Sequence, residues 1–277
     1  MVSNDPRSAD IGVIGGTGFY SFLRDARMVR VETPFGSPSA DLAVGEVAGR
    51  RIAFLPRHGA RHEFAPHRVN YRANLWALRS VGVRQVLGPG AVGSLKPELR
   101  PGTFVVPDQV VDRTHGRAHT VYDQDGPPVH VAFAEPYCPR GRQAVLAAAE
   151  AGTDLVDGGT VVVVNGPRFS SRAESISHAA QGWSLVGMTA MPEASIAREL
   201  ALCYTAIAIV TDHDAGVDGG GGVSQAEVLE IFAGNIDRLK ALLERVVARL
   251  PEPEPDHSAA CPCRRALDGL ELPFVLP

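Results

Sequence analysis

A chain of 277 residues, 45% hydrophobic and 21% charged, is long enough to bury a full core as one large α/β domain, and nothing in it demands a second. Its net charge of −4 and its lack of Lys/Arg blocks argue against nucleic-acid or membrane-surface partners, because counterion release needs clustered cations; small molecules are the expected ligands. Met1 to Asp10 carries charges and a proline where a signal peptide needs an apolar run, and no later stretch reads as a membrane span, so the chain is expected to stay in the cytosol.

In chain order, Ile11-Gly-Val-Ile14 is short, β-branched and followed at once by Gly15-Gly16-Thr17-Gly18, which reads as a buried strand entering a tight glycine turn. Further strands are expected at Arg51 to Leu55, Gln85 to Leu87, Thr160 to Val164 and Tyr204 to Val210. These apolar runs lack clean alternation, the pattern of strands covered on both faces. Helical patterns near Arg72 to Val81, Arg140 to Ala151 and Ser171 to Gln181 interleave with them, which implies a central sheet flanked by helices. The clearest helix starts at Ser224, with Glu227 at capping-box spacing. Val228, Phe232, Ile236, Leu239, Leu243, Val246 and Leu250 then form one buried stripe. Pro251-Glu-Pro-Glu-Pro255 stops that helix and opens a linker over residues 251–258; Leu270 to Pro277 is too apolar for a free tail and is expected to fold back onto the body. The four cysteines, Cys138, Cys203, Cys261 and Cys263, lack the spacing of a disulfide framework or a structural zinc site. Cys261-Pro-Cys263 reads as two incidental thiols in a polar tail, and no metal is expected.

Glycines at a strand end suggest phosphate, because glycine lets backbone amides approach an anion closely. Gly15-Gly-Thr-Gly18 is neither a Walker A sequence nor a clean dinucleotide fingerprint, although Glu32 lies near where a ribose-binding acid would fall, which keeps a nicotinamide-dinucleotide enzyme as an alternative. Two more strand ends carry similar chemistry: Leu55-Pro-Arg57-His58-Gly59 and Gly88-Pro-Gly90-Ala91-Val-Gly93-Ser94. Ligands of open α/β sheets collect at the carboxyl ends of strands, so arginine, histidine, threonine and glycine amides arriving there can assemble one oxyanion site. His58 alone also reads as an ordinary structural histidine.

The chain resembles the methylthioadenosine phosphorylase branch of the trimeric purine nucleoside phosphorylase family from Ile11 to Pro277. The likeness rests on IGVIGGTGFY, TPFG (33–36), RHGARH (57–62), VNYRANLWAL (69–78), DQVVDRT (108–114), AEPYCP (134–139), NGPRFSSRAES (165–175), MTAMPEASIA (188–197) and TDHDAG (211–216), in that order. It implies a single α/β domain around a central mixed twisted sheet flanked by helices, and a homotrimer. The implied reaction is phosphorolysis of 5'-methylthioadenosine or a related 5'-substituted adenosine, with inorganic phosphate as co-substrate and no cofactor. Thr17, Arg57, His58, the backbone of Gly90 and Ala91, and Thr189 would hold phosphate; Met188 would lie under the ribose. Phe169 would stack on the purine, with Ser170 at its edge. Pro89-Gly90 replaces the paired threonines of some relatives, so hydroxyl donors are lost there.

Glycosidic cleavage through an oxocarbenium-like sugar also needs an acid for the departing purine. Asp212, at the end of an apolar strand and near Asp214, is expected to be desolvated and beside a like charge. Both raise a carboxyl pKa, so Asp212 is assigned as the general acid for N7. The Asp212 and Asp214 pair with Ser170 also favours adenine over 6-oxopurines, whose phosphorylases are the nearest alternative. For the 5' group, Val228, Val275 and a neighbouring subunit's His130 fit a methylthio pocket. By the same resemblance Gln225 departs from the valine typical of methylthioadenosine enzymes; it either lets a hydroxyl or halogen compete with methylthio or, at the first turn of its helix, simply faces water.

Overall fold

The structure is a computed structural model that describes residues 5, 7–16, 23–217, 219, 222–252 and 261–277. Its frame is one eleven-stranded mixed sheet. The strands are β1 (Ile11–Gly15), β2 (Arg24–Val29), β3 (Leu42–Val47), β4 (Arg50–Pro56), β5 (Gln85–Ser94), β6 (Phe104–Val106), β7 (Gln109–Arg113), β8 (Leu155–Asp157), β9 (Thr160–Val164), β10 (Leu185–Gly187) and β11 (Cys203–His213). The helices are α1 (Tyr71–Ser80), α2 (Pro139–Ala147), α3 (Arg172–Ala180), α4 (Ala190–Glu199) and α5 (Gln225–Arg249). The sheet runs β2-β3-β4-β1-β5-β10-β9-β7, while β11 lies along the other flank of β5 and carries β6 and then β8. The parallel β4-β1-β5-β11 centre and the antiparallel β5-β10 and β11-β6 pairs make the sheet mixed, as the family resemblance implies.

Each central strand feeds two cores, because successive side chains point to opposite faces. Ala53, Leu55, Ala206 and Ala208 join a cluster with Leu75 and Leu78 of α1 and Ile196 of α4. Ile52, Phe54, Ile207 and Ile209 face the other way, against Val145 of α2 and Leu239, Leu243 and Val246 of α5. Double coverage is why these strands read as unbroken apolar runs. Leu239, Leu242, Leu243, Val246 and Val247 are fully buried, which holds α5 along the sheet; each such side chain contributes about 1.5–3 kcal/mol over leaving it in water. Ser224 caps α5 by accepting from the Glu227 amide. The reciprocal half of the box is replaced by a Ser224 hydroxyl to Glu227 carboxylate bond at 2.7 Å. At Ser171 and Glu174 of α3 both halves form.

One feature of pairing creates the site. On its β1 side β5 is paired as far as Leu87 and again, by β10, from Gly93. Among the described residues no strand covers residues 88–92 on that flank; the Pro89 carbonyl there is taken by Arg57, and the rest of the segment is open to a ligand.

One region departs from the sequence reading. Cys261 and Cys263 do not lie in a polar tail: they flank Pro262 in a short 3-10 turn (Pro262–Arg265) and are buried with Cys138 and Cys203 in one cluster. Spacing rules missed this because the four come from segments far apart in sequence. In the tail, Phe274 stacks on Tyr122 at 5.3 Å and meets Trp76 edge-on at 5.7 Å, with Leu276 also against the core. Residues 253–258 of the expected linker lie outside the described residues. No helix among the described residues is long and apolar enough to cross a membrane.

Candidate active site

A cavity of about 250 Å³ opens at the uncovered flank of β5. Of the expected phosphate ligands, Arg57, His58, Gly90, Ala91 and Thr189 line it, together with Gly16 from the end of β1. Thr17 lies outside the described residues.

Arg57 follows β4 directly and is 3% exposed. Its guanidinium is not free for an anion, as the sequence alone would suggest. Nε and Nη2 donate to the two carboxylate oxygens of Glu193 at 2.8 Å each, Nη2 also donates to the Ile14 carbonyl, and Nη1 donates to the Pro89 carbonyl. Only one Nη1 N–H is left for a ligand. Burial works against its charge, but Glu193 more than offsets this and leaves the arginine firmly protonated. The Tyr204 hydroxyl donates to Glu193 at 2.6 Å, completing a rigid buried pair that carries no net charge. Glu193 is a functional position that the sequence reading gave no role. Its signal, an acid in an apolar helix, becomes informative only once Arg57 is seen opposite.

His58 places Nδ1 2.8 Å from the Phe64 carbonyl, so Nδ1 carries the proton and Nε2 the lone pair. Burial and then the neighbouring Arg57 push its pKa down to about 4, so the ring is neutral at physiological pH. A neutral His58 can accept from an acidic phosphate hydroxyl but does not add positive charge. Its ring stacks on His62 at 4.6 Å, which also lines the cavity. Thr189 is the N-cap of α4, yet its hydroxyl makes no capping bond and remains available to the cavity.

The base end is built by β11. Its register against β5 shifts between Val210 and Asp212, so Thr211 is the extra residue of a bulge. Bulges re-aim side chains, and this one brings Asp212 and Asp214 into the cavity lining. Gly93 makes room: a Cβ there would stand 2.9 Å from Asp212 Oδ1. Asp214 is buried and accepts from the Ser175 hydroxyl at 2.6 Å. The Asp212 carboxyl accepts from Thr211 Oγ1 at 2.8 Å, yet burial, helped by the charge of Asp214, raises its pKa to about 6. That is the environment of a carboxyl that can give up a proton near neutrality.

Phe169 and Ser170, in the turn between β9 and α3, and Met188, after β10, line the same cavity. Gly166 has φ +60°, and a side chain there would meet Met188 Sδ at 2.5 Å, so glycine lets the two loops touch. Buried Arg117, also missed in the sequence, ties them further: it donates to the carbonyls of Asn165, Met188 and Met191. Gln225 and Val228 reach the lining from the first turn of α5, joined by Leu229 and Phe232.

His130 and Val275 do not line the cavity of this chain. For Val275 this corrects the expectation within one subunit. Phe274 and Leu276 pack inward, while Val275 between them is 92% exposed. Glu32, the acid a dinucleotide site would need, is exposed and does not line the cavity either.

Residues expected to hold an anion and a carboxyl of raised pKa thus share one cavity on adjacent strands of a mixed α/β sheet. The sequence profile of the phosphorylase superfamily matches residues 10–248. A purine nucleoside phosphorylase of Streptomyces coelicolor is 60% identical across 97% of this chain and 98% of its own length. An S-methyl-5'-thioadenosine phosphorylase of Mycobacterium tuberculosis is 54% identical across 96% and 97%. The crystal structure of a methylthioadenosine phosphorylase from an antarctic soil metagenomic library superposes with a TM-score of 0.85 at 36% identity, over 95% of this chain and 92% of that one. The chain belongs to the phosphorylase superfamily.

Proposed function

We propose that this enzyme cleaves the glycosidic bond of 5'-methylthioadenosine with inorganic phosphate, giving adenine and the 5-substituted ribose 1-phosphate. The observation that supports the reading is that the residues expected to hold phosphate and the glycine packed against Asp212 lie along one strand, β5. Gly90 and Ala91 lie at the anion end, and Gly93, against Asp212, at the acid end. Gly90 and Gly93 are three residues apart, about 10 Å along an extended strand, room for a sugar between them.

Phosphate sits on the amides of Gly90 and Ala91, the Thr189 hydroxyl and the remaining Arg57 N–H, with Thr17 as a further donor. Its charge faces the developing oxocarbenium carbon, and its oxygen attacks as the bond to the base breaks. Because Glu193 cancels the charge of Arg57, phosphate keeps its own negative charge largely uncompensated by the protein and available to the sugar. Protonated Asp212 donates to N7 and so neutralises the departing purine, while Phe169 and Ser170 hold the base and Met188 supports the ribose. With Asp214 fixed by Ser175 and Ser170 at the base edge, the acceptors suit a 6-amino purine. The subunits form a homotrimer in the cytosol, in which a neighbour's His130 closes the 5' side beside Val228.

Gln225 supports a second reading of the 5' pocket. It is polar and lines the cavity, which favours adenosine itself or a 5'-halo analogue, and the Streptomyces coelicolor relative carries the broader name. The test is adenine release from a panel of 5'-substituted adenosines and from inosine, with phosphate present. The reading expects methylthioadenosine to have the highest kcat/KM. A preference for inosine would overturn it.

A further inference from the structure

The mechanism leaves the cysteine cluster unused. Cys138 is the N-cap of α2, Cys203 the first residue of β11, and Cys261 and Cys263 flank the proline of the 3-10 turn near the C-terminus. All four are 1–5% exposed, and all four sulfurs lie within 4.8 Å of one another, with Cys138 and Cys261 at 3.5 Å. We propose that Cys138, Cys203, Cys261 and Cys263 form a tetrahedral thiolate site for a structural zinc ion that clasps the C-terminal segment to the body.

The geometry suits a metal better than two disulfides. With Zn–S bonds of about 2.3 Å, the edges of a thiolate tetrahedron are about 3.8 Å. Four mutually adjacent sulfurs approach that figure, whereas disulfides would draw them into two bonded pairs. Binding converts four thiols to thiolates and releases their protons to solvent; no electron is transferred and no oxidant is needed. The site then carries two net negative charges, and its surroundings answer them. Arg198, itself buried, donates from Nη2 to Cys263 Sγ at 3.7 Å, and the Gly141 amide in the first turn of α2 donates to Cys138 Sγ at 3.4 Å. A closed, buried four-sulfur shell matches structural zinc.

The ion would join three segments: the start of α2, the start of β11 and the 3-10 turn near the C-terminus. It fixes the 3-10 turn against the start of β11, and so anchors residues 261–277, whose Phe274 and Leu276 cover the core beside Trp76 and Tyr122. Because these ligands are far apart in sequence, metal binding closes long loops in the unfolded chain and favours the native state.

The test uses the full-length protein, produced with zinc in the medium and purified without chelator. Elemental analysis is expected to find about one zinc per chain, with the thiols silent to Ellman's reagent until a chelator and denaturant are added together. Substitution by cobalt is expected to give the strong visible bands of a tetrahedral thiolate site, and Cys203→Ser to abolish them. Three results overturn the proposal: no stoichiometric metal with four freely titrating thiols, no metal with two disulfides in the intact mass, or stoichiometric iron in place of zinc.

Discussion

Replacing Asp212 with asparagine should make the ligand-free protein more stable while removing its catalytic proton. The wild-type carboxyl is half-buried, and its pKa rises from the ordinary 3.8 to about 6, chiefly through desolvation. A folded-state pKa above the unfolded one means that the fold holds the proton more tightly, so stability is lost as pH rises from 3.8 through about 6 and no further above that. About two pKa units at about 1.4 kcal/mol each sets a ceiling near 3 kcal/mol; partial exposure lowers the expected gain for D212N to about 1–3 kcal/mol at pH 7.5. Asparagine keeps an acceptor for the 2.8 Å bond from Thr211, so the substitution removes little else. The assay is urea unfolding of both proteins at one fixed concentration, without nucleoside or phosphate, at a series of pH values. The gain should grow across that window and vanish below pH 3.8. A variant equally or less stable at pH 7.5 would refute the claim that this carboxylate is held at a cost in desolvation.

In the proposed mechanism the same group sets the pH dependence of catalysis: kcat/KM for methylthioadenosine should fall roughly tenfold per pH unit above about 6, and a flat profile to pH 8 would remove Asp212 from the proton-transfer step. D212N should lower turnover of adenosine-type substrates by roughly two or more orders of magnitude and spare 6-oxopurine nucleosides, so equal losses on both would count against the assignment. Gln225→Val should shift the kcat/KM ratio toward methylthioadenosine and away from adenosine; an unchanged ratio would mean that Gln225 serves only solvent. Glu193→Gln strands the buried charge of Arg57 and should destabilise the protein by about 3–5 kcal/mol in urea titrations, a loss below about 1 kcal/mol showing that the pair is dispensable.

Much of this organisation was legible in the residues. The runs at Ile11, Arg51, Gln85, Thr160 and Tyr204 all became strands, because unbroken β-branched and apolar stretches fit strands covered on both faces. The helix from Ser224 followed from its cap and stripe. Short strands such as β8 and β10, three residues each, carry too little pattern to stand out, and α4 was hidden by Pro192 near its start. The family motifs gave site roles to residues from Arg57 to Val228 that line the cavity, but not to Gly16, His62, Leu229 or Phe232, which line it too. What escaped were relations between distant residues. The pairing of Arg57 with Glu193, the carbonyl cage around Arg117 and the meeting of four cysteines depend on the way the sheet brings segments together, which no local spacing encodes.

The central claim is that an anion and an acid act on one sugar within one cavity. It is tested by phosphorus NMR of the purified enzyme incubated with methylthioadenosine, once with orthophosphate and once after its exhaustive removal. The account predicts a sugar 1-phosphate resonance appearing in step with free adenine in the first sample and no adenine in the second. Adenine released equally fast without phosphate, or in neither sample, would contradict it.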